Sequence, residues 1–265
     1  MNMGTGPKKH LGQHFLTAVR YAERIAQSIS AREHENVLEI GPGNGALSVH
    51  LAKRFPGFHC VEIDPDVVGA LRARMGDGRW VLHQSDALEF DFAVAGFPLH
   101  VVGNLPYSIG ALVIKKTLLY GNNILSCTFM VQREVAERIA AAPHTKRNGF
   151  LSVFCQFFGK PRILFRVPPG AFFPKPNVES SVFRLDVEDN LEKKLRAGQW
   201  RDYFAFVDKG FRMRRKMLVN VLGREGGRER FAELLGRIGV GADARAEDLG
   251  APEWLELYKR SCDAS

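Results

Sequence analysis

The stretch Val37-Leu38-Glu39-Ile40-Gly41-Pro42-Gly43-Asn44-Gly45 decides how this chain is read. A short apolar run bounded by glycines is a buried strand, and the glycines after it let the backbone turn tightly and approach a ligand with no Cβ in the way. A helix is expected from about Ala46 to Arg54, followed by a second apolar run, His59-Cys60-Val61-Glu62-Ile63. Glu62 lies 21 positions after Gly41, at the end of that second strand, where a carboxylate can accept from both hydroxyls of a ribose. The pair points to an adenosine-containing cofactor at the carboxyl edge of a sheet. The loop alone does not name that cofactor. Gly41, Gly43 and Ala46 also satisfy a permissive GxGxxG/A dinucleotide fingerprint, and an ordinary strand–helix turn would share the glycines.

Working outward, residues 2–10 form a basic arm with Lys8 and Lys9, and the spacing of Val19, Ile25, Ala26 and Ile29 predicts a helix from Thr17, as N-cap, to Ser30. Downstream, a helix is expected over about 65–74 and strands at 80–83 and 100–103. Ser108 should cap a helix running to about Leu119, before a strand over 126–132 and a helix over 133–141. Strand and helix in alternation mean βαβ units and a parallel sheet covered on both faces. Phe150 to Phe158 is almost wholly apolar, and strands are expected at 162–167 and 180–187 around a loop with Pro168, Pro169, Pro174 and Pro176. From Leu191 only helical patterns remain, at about 191–209, 211–223, 227–238 and 252–260. The expected division is therefore residues 1–188 and 191–265.

Composition narrows the class. The 265 residues are 45% hydrophobic and 25% charged, which excludes wholesale disorder. No run approaches the ~18 uncharged apolar residues of a membrane span, and Met1 to His10 lacks the apolar core of a signal peptide. Cys60, Cys127, Cys155 and Cys262 lie far apart with no CxxC pair, so they read as reduced core thiols in a cytosolic protein, and no metal site is expected. The formal charge is +8, and residues 191–230 hold twelve Lys/Arg against five Asp/Glu. A surplus gathered in one region is the footprint of a polyanion; a merely basic soluble protein has the same sum.

Asn104-Leu105-Pro106-Tyr107 follows the fourth strand on the binding edge. The chemistry that needs this set is alkylation of a nucleobase amine. The lone pair of adenine N6 is delocalised into the ring, so the amine is a poor nucleophile. An Asn side-chain oxygen and a neighbouring backbone carbonyl that accept both N6 hydrogens favour a pyramidal nitrogen, its lone pair aimed at a sulfonium methyl. Pro106 fixes the backbone for the second carbonyl, and Tyr107 offers a ring for the unstacked base. Catalysis by positioning needs no strong base. Asp86, just after the third strand, can accept from the adenine amine of a cofactor, although a carboxylate there also serves as a loop cap.

Five segments together resemble the rRNA adenine dimethyltransferases: His10-Leu11-Gly12-Gln13-His14-Phe15-Leu16, Glu39-Ile40-Gly41-Pro42-Gly43, Gly103-Asn104-Leu105-Pro106-Tyr107, Gln132-Arg133-Glu134-Val135 and Phe172-Phe173-Pro174-Lys175-Pro176-Asn177-Val178-Glu179-Ser180. They occur in the family's order between about residues 8 and 222. Leu105 and the Gly12-Gln13-His14-Phe15 opening resemble the small-subunit (16S) branch, because the large-subunit macrolide-resistance branch usually has Ile and Ser-Gln-Asn-Phe there. The resemblance implies a Rossmann-like S-adenosylmethionine-dependent methyltransferase domain, seven-stranded with its last strand antiparallel, and a small all-helical C-terminal domain that binds rRNA. It implies dimethylation at N6 of two adjacent adenosines in the 3′-terminal hairpin of 16S rRNA, linked to ribosome biogenesis, by a cytoplasmic monomer. His14 and Leu16 would line the cofactor site, Gly41 and Gly43 would approach its methionine part, Glu62 the ribose and Asp86 the adenine. Asn104 would hold the target N6 and edge the cofactor, with Leu105 and Pro106 completing the motif and Tyr107 and Phe172 sandwiching the base. His14 departs from the Asn more usual in the family; both donate a hydrogen bond.

Arg212, Arg214, Arg215 and Lys216 put four cations in five positions, on an expected helix. They suit phosphate contacts that position an enzyme on RNA without reading bases, and equally a solvated helix face. His10, His50, His59, His83, His100 and His144 form no catalytic or metal constellation in sequence, and the Phe154, Phe157, Phe158 cluster reads as core. Three other functions remain open. A nicotinamide dehydrogenase would leave Asn104–Tyr107 and Phe172–Ser180 idle; a 23S rRNA methylase of the macrolide-resistance type would alter macrolide sensitivity; a non-catalytic assembly factor would bind RNA and transfer no methyl.

Overall fold

The computed structural model describes residues 14–32, 34–76 and 78–263; the basic arm with Lys8 and Lys9 and the segment His10-Leu11-Gly12-Gln13 lie outside the described residues. In chain order the strands are β1 (Phe15–Leu16), β2 (Asn36–Ile40), β3 (Phe58–Glu62), β4 (Trp80–Gln84), β5 (Leu99–Asn104), β6 (Ile124–Gln132), β7 (Arg162–Val167), β8 (Phe172–Phe173) and β9 (Ser180–Asp186). The helices are α1 (Val19–Gln27), α2 (Ser48–Arg54), α3 (Pro65–Met75), α4 (Gly110–Leu119), α5 (Arg133–Ile139), α6 (Phe150–Phe158), α7 (Leu191–Lys194), α8 (Trp200–Phe211), α9 (Leu218–Gly226), α10 (Arg228–Arg237) and α11 (Ala251–Asp263).

Seven strands form one sheet in the order β4-β3-β2-β5-β6-β9-β7, and β1 pairs with β8 in a separate ribbon. The pairs from β4 to β6 are parallel, while β9 runs antiparallel to both β6 and β7. Parallel strands need helical crossovers, which cover both faces, so β2 and β5 are buried almost from end to end. The order reverses between β2 and β5. In open α/β sheets the crevice beyond the carboxyl ends of such strands is where ligands bind.

The chain divides into two compact units. One runs to Ala136 and resumes over Arg162–Val187; the other comprises Glu137–Pro161 and everything from Glu188 onward. The boundary expected near residues 188–190 coincides with the last crossing, yet residues 137–161, read with the first domain, cluster with the C-terminal helices. The reason is α6, whose Phe154, Phe157 and Phe158 are buried against α8, with ring centroids 4.5 Å (Phe154–Phe204), 5.2 Å (Phe157–Tyr203) and 5.2 Å (Phe158–Trp200) apart. An apolar run announces burial, not which core it joins.

Three local expectations give way to tertiary contacts. Thr17 is not an N-cap: α1 starts at Val19, and the Thr17 hydroxyl and backbone N–H both donate to the Ala171 carbonyl. Ser108 does not cap α4, whose N-cap position is Ile109 with no side-chain bond. The cationic stretch 212–216 is not helical but is the turn between α8 and α9.

Candidate active site

A cavity of about 290 Å³ opens at the carboxyl ends of β2, β3, β4 and β5. Its lining brings together His14, Leu16, Gly41, Gly43, Glu62, Asp86 and the whole of Asn104–Tyr107, residues up to 93 positions apart in the chain. Gly41 has φ +63°, and a Cβ there would meet no atom within 4 Å, because it would project into open space. Gly43 has φ +54° for a second reason. A Cβ on it would stand 3.1 Å from the ring of Phe15, which packs down on the loop.

The Glu62 carboxylate is held by three backbone donors: the N–H of Gly43 (3.2 Å) on one oxygen, and those of Ile63 (2.9 Å) and Asp64 (3.0 Å) on the other. One carboxylate thus joins the end of β3 to the glycine loop. Burial nevertheless raises its pKa above the ordinary carboxylate value, since these donors lower it by less. On the neighbouring strand, Glu39 is fully buried and accepts a 2.6 Å bond from the Ser48 hydroxyl; burial pushes it up to about 8. Asp86 does cap its loop, accepting from the Leu88 N–H at 2.8 Å while still lining the cavity. Lys116 pins the following residues through the carbonyls of Leu88 and Phe90.

Asn104 has a fixed orientation. Its amide nitrogen donates to the His14 carbonyl at 3.0 Å, which leaves the side-chain oxygen as the end available to a ligand. The Pro106 carbonyl accepts from Ile109 and Gly110, whereas among the described residues no backbone N–H donates to the Leu105 carbonyl. Two acceptors therefore remain open on adjacent residues at the end of β5. The Tyr107 hydroxyl is paired with Ser180 at 2.9 Å, and its ring lies 5.4 Å from the His14 imidazole, which in turn bonds to the Pro174 carbonyl at 2.8 Å.

Phe172 is not brought to this cavity. It is 5% exposed and packs with Leu16, Tyr21 and Ile25 in the core, while its neighbour Phe173 is 64% exposed. The cations of the 212–216 turn also divide. Arg212 pairs with Asp208 (3.1 Å), and Arg214 is bound by the Glu247 carboxylate (2.9 Å) and the carbonyls of Lys146 and Asn148 (2.8 Å each). Arg215 and Lys216 are exposed, with no side-chain partner among the described residues. Glu39 is the residue whose place in the cavity sequence reasoning missed. Its signal was a lone carboxylate inside an otherwise apolar buried strand.

The lining contains three carboxyl groups, Glu39, Glu62 and Asp86, and no lysine or arginine. Such a site suits a ligand carrying positive charge and polar hydroxyls. S-adenosylmethionine, with a sulfonium, an ammonium and a ribose, has that character; a dinucleotide pyrophosphate would find no cation among these residues.

Residues 5–263 match the family model described as ribosomal RNA adenine dimethylase. A Rubrobacter xylanophilus protein named ribosomal RNA small subunit methyltransferase A is 40% identical over 256 residues, 96% of this chain and 95% of the relative. An Alcanivorax borkumensis protein of the same name is 36% identical over 263 residues, covering 94% and 88%. Among solved structures, a dimethyladenosine transferase from Plasmodium falciparum shares the fold, with TM-score 0.82 at 19% identity over 94% of this chain and 98% of that one. The 23S rRNA methyltransferase ErmE gives 0.71 at 26% identity over 93% and 98%. Cavity, motif and relatives agree: this chain belongs to the ribosomal RNA adenine dimethylase family, enzymes that use S-adenosylmethionine to methylate adenine in ribosomal RNA.

Proposed function

We propose that the protein dimethylates N6 of two adjacent adenosines in the 3′-terminal hairpin of 16S rRNA within the small ribosomal subunit, as part of ribosome biogenesis. The observation that carries this reading is the paired acceptor set at the end of β5, the Asn104 side-chain oxygen beside the Leu105 carbonyl. The small-subunit relatives cover the chain almost end to end, and they favour this substrate over 23S rRNA.

S-adenosylmethionine supplies an electrophilic sulfonium methyl when bound. With the cofactor bound, Glu62 would accept from the ribose hydroxyls with the lone pairs its three backbone donors leave open, and Asp86 would accept from the adenine amine. Gly41 and Gly43 give backbone approach, with His14 and Leu16 closing the wall. Asn104 and Leu105 accept the two N6 hydrogens of the target and hold the nitrogen pyramidal. Because the amide nitrogen of Asn104 is anchored on His14, little reorganisation is needed when charge develops on N6. The ring of Tyr107, fixed through Ser180, supports the unstacked base. Alkylation itself acidifies the amine, so its proton passes to water and needs no strong base.

In the helical unit, Arg215 and Lys216 contact rRNA phosphate, whereas Arg212 and Arg214 shape the turn. The cavity is complete within one chain, which favours a monomer. No described helix is long and apolar enough to cross a membrane, in keeping with action on subunits in the cytoplasm.

The test is transfer of labelled methyl to unmethylated small subunits, with Asn104→Ala in parallel. Up to four methyls on two neighbouring adenosines, reduced at least about 10²-fold in the variant, is the expected result. Label on large-subunit RNA would mean the macrolide-resistance activity. Subunit binding with no label would mean an assembly factor.

A further inference from the structure

Phe173 has a place in the structure that the cavity's chemistry does not yet use. In the β1–β8 ribbon, Leu16 stands opposite Phe172 and Phe15 opposite Phe173. Opposed residues of an antiparallel pair leave the ribbon on the same face, and successive residues on opposite faces. One face, Leu16 with Phe172, is in the hydrophobic core. The other carries Phe15, which lines the cavity and packs on Gly43, and beside it Phe173. The next residue, Pro174, accepts through its carbonyl from His14, itself in the cavity wall. Phe173 is therefore a ring beside Phe15 of the cavity wall, tied by backbone to His14 through Pro174, yet 64% exposed. Two residues on, Lys175 is also exposed.

We propose that Phe173 is a second base-stacking site, which takes the unpaired nucleobase flanking the target adenosine while Lys175 meets the intervening phosphate. The inference rests on the adenine-methylation reading and deepens it. Drawing one adenine out of a stack leaves its neighbour with an uncovered face, and an exposed planar ring beside the cavity wall covers it. Base–aromatic stacking is tolerant of which base it receives, so the site accepts the flanking base whichever of the two adjacent adenosines is in the cavity. Phe173 is thus a positioning residue that acts on substrate affinity and not on methyl transfer itself.

The full-length protein is compared with Phe173→Ala, Phe173→Leu and Phe173→Tyr. Methyl transfer to unmethylated small subunits gives kcat and KM; S-adenosylmethionine affinity is measured by calorimetry. In a second readout, an RNA hairpin carries 2-aminopurine next to the target adenosine, and its fluorescence is followed on binding. Ala and Leu should each raise KM for subunits about ten-fold, with kcat and cofactor affinity within about two-fold, and Tyr should retain wild-type values. Stacking quenches 2-aminopurine with the wild type and Tyr, and not with Ala or Leu. An unchanged KM and unchanged quenching in Ala would overturn the site. Full function in Leu would overturn stacking in favour of apolar contact. If the wild type transfers no methyl yet quenches in a Phe173-dependent way, the stacking site stands and the methylation reading fails.

Discussion

The two edges of the sheet handle buried carboxyl groups in opposite ways. At the amino edge, His100 of β5 bonds through one ring nitrogen to Glu35 (3.0 Å) and through the other to the Ser126 hydroxyl (2.8 Å). The arrangement has the residue types of a hydrolytic triad, but Ser126 and His100 are both buried and neither lines the substrate cavity. Glu35 also accepts from the Arg32 N–H, and these partners bring its pKa below the usual value in spite of burial. At the carboxyl edge, Glu39 and Glu62 are pushed up, because burial there outweighs the donors supplied. The carboxyl group at the amino edge closes a polar network, while those at the carboxyl edge lie beside a cavity where burial makes their charge costly.

The largest effect that tests this contrast is on cofactor binding. Glu62→Gln removes charge and one acceptor from the glycine-loop clamp and should weaken S-adenosylmethionine binding about 10- to 100-fold by calorimetry. An affinity within two-fold of wild type would mean that the clamp serves the loop alone.

Next come the opposite pH dependences of the two edges. The folded pKa of Glu39, about 8, lies above its unfolded value of 4.5, so its stabilisation is full below 4.5 and lost as pH rises through 8. His100 is held below 6.5 by burial, so its contribution is full above 6.5 and lost as pH falls below it. Denaturant titrations of the ligand-free protein between pH 5 and 9 should show Glu39→Gln flattening the alkaline decline. His100→Gln should flatten the acidic one, at a cost of about 1–3 kcal/mol at pH 7.5 from Glu35 and Ser126 left poorly paired. Profiles parallel to wild type for both variants would remove the contrast.

The smallest effect extends the comparison to the cationic turn. Arg214, whose Nη2 is bound by the Glu247 carboxylate and two backbone carbonyls, should matter to stability, and Arg214→Ala should lower the unfolding midpoint. Arg215→Ala with Lys216→Ala should leave stability alone, weaken subunit binding a few-fold and reduce the salt slope by about two. Equal binding losses from Arg214→Ala and from the pair would show that satisfaction by neighbours does not sort these cations.

How much was legible in advance follows from how far each feature reaches along the chain. Strand–helix alternation and the glycine loop are local, and the strands at 37–40, 59–63 and 100–103 lie where periodicity placed them, to within a residue or two. The fold class and the cavity residues from Gly41 to Tyr107 follow from those segments, because the carboxyl edge of a parallel sheet collects whatever ends its strands. Thr17 and Ser108 carry the local signal of a helix cap without capping, because a hydroxyl's partner is chosen by distance in space, and Ala171 lies 154 residues from Thr17. The histidines looked scattered because His100, Glu35 and Ser126 meet only through strand register.

By itself the sequence determined the α/β class, the cofactor edge, the Asn104–Tyr107 motif and the family. These are written in contiguous residues whose conformations are set by their own steric limits. Tertiary structure alone decided that α6 joins the helical core, that Glu39 reaches the cavity, that Arg214 is tied to Glu247 while Arg215 has no side-chain partner among the described residues, and that Phe173, not Phe172, faces solvent. The outcomes at α6, Arg214 and Phe173 depend on a partner dozens of residues away. In a strand one step of register exchanges the two faces, so two adjacent phenylalanines of identical chemistry are told apart only by what stands across from them.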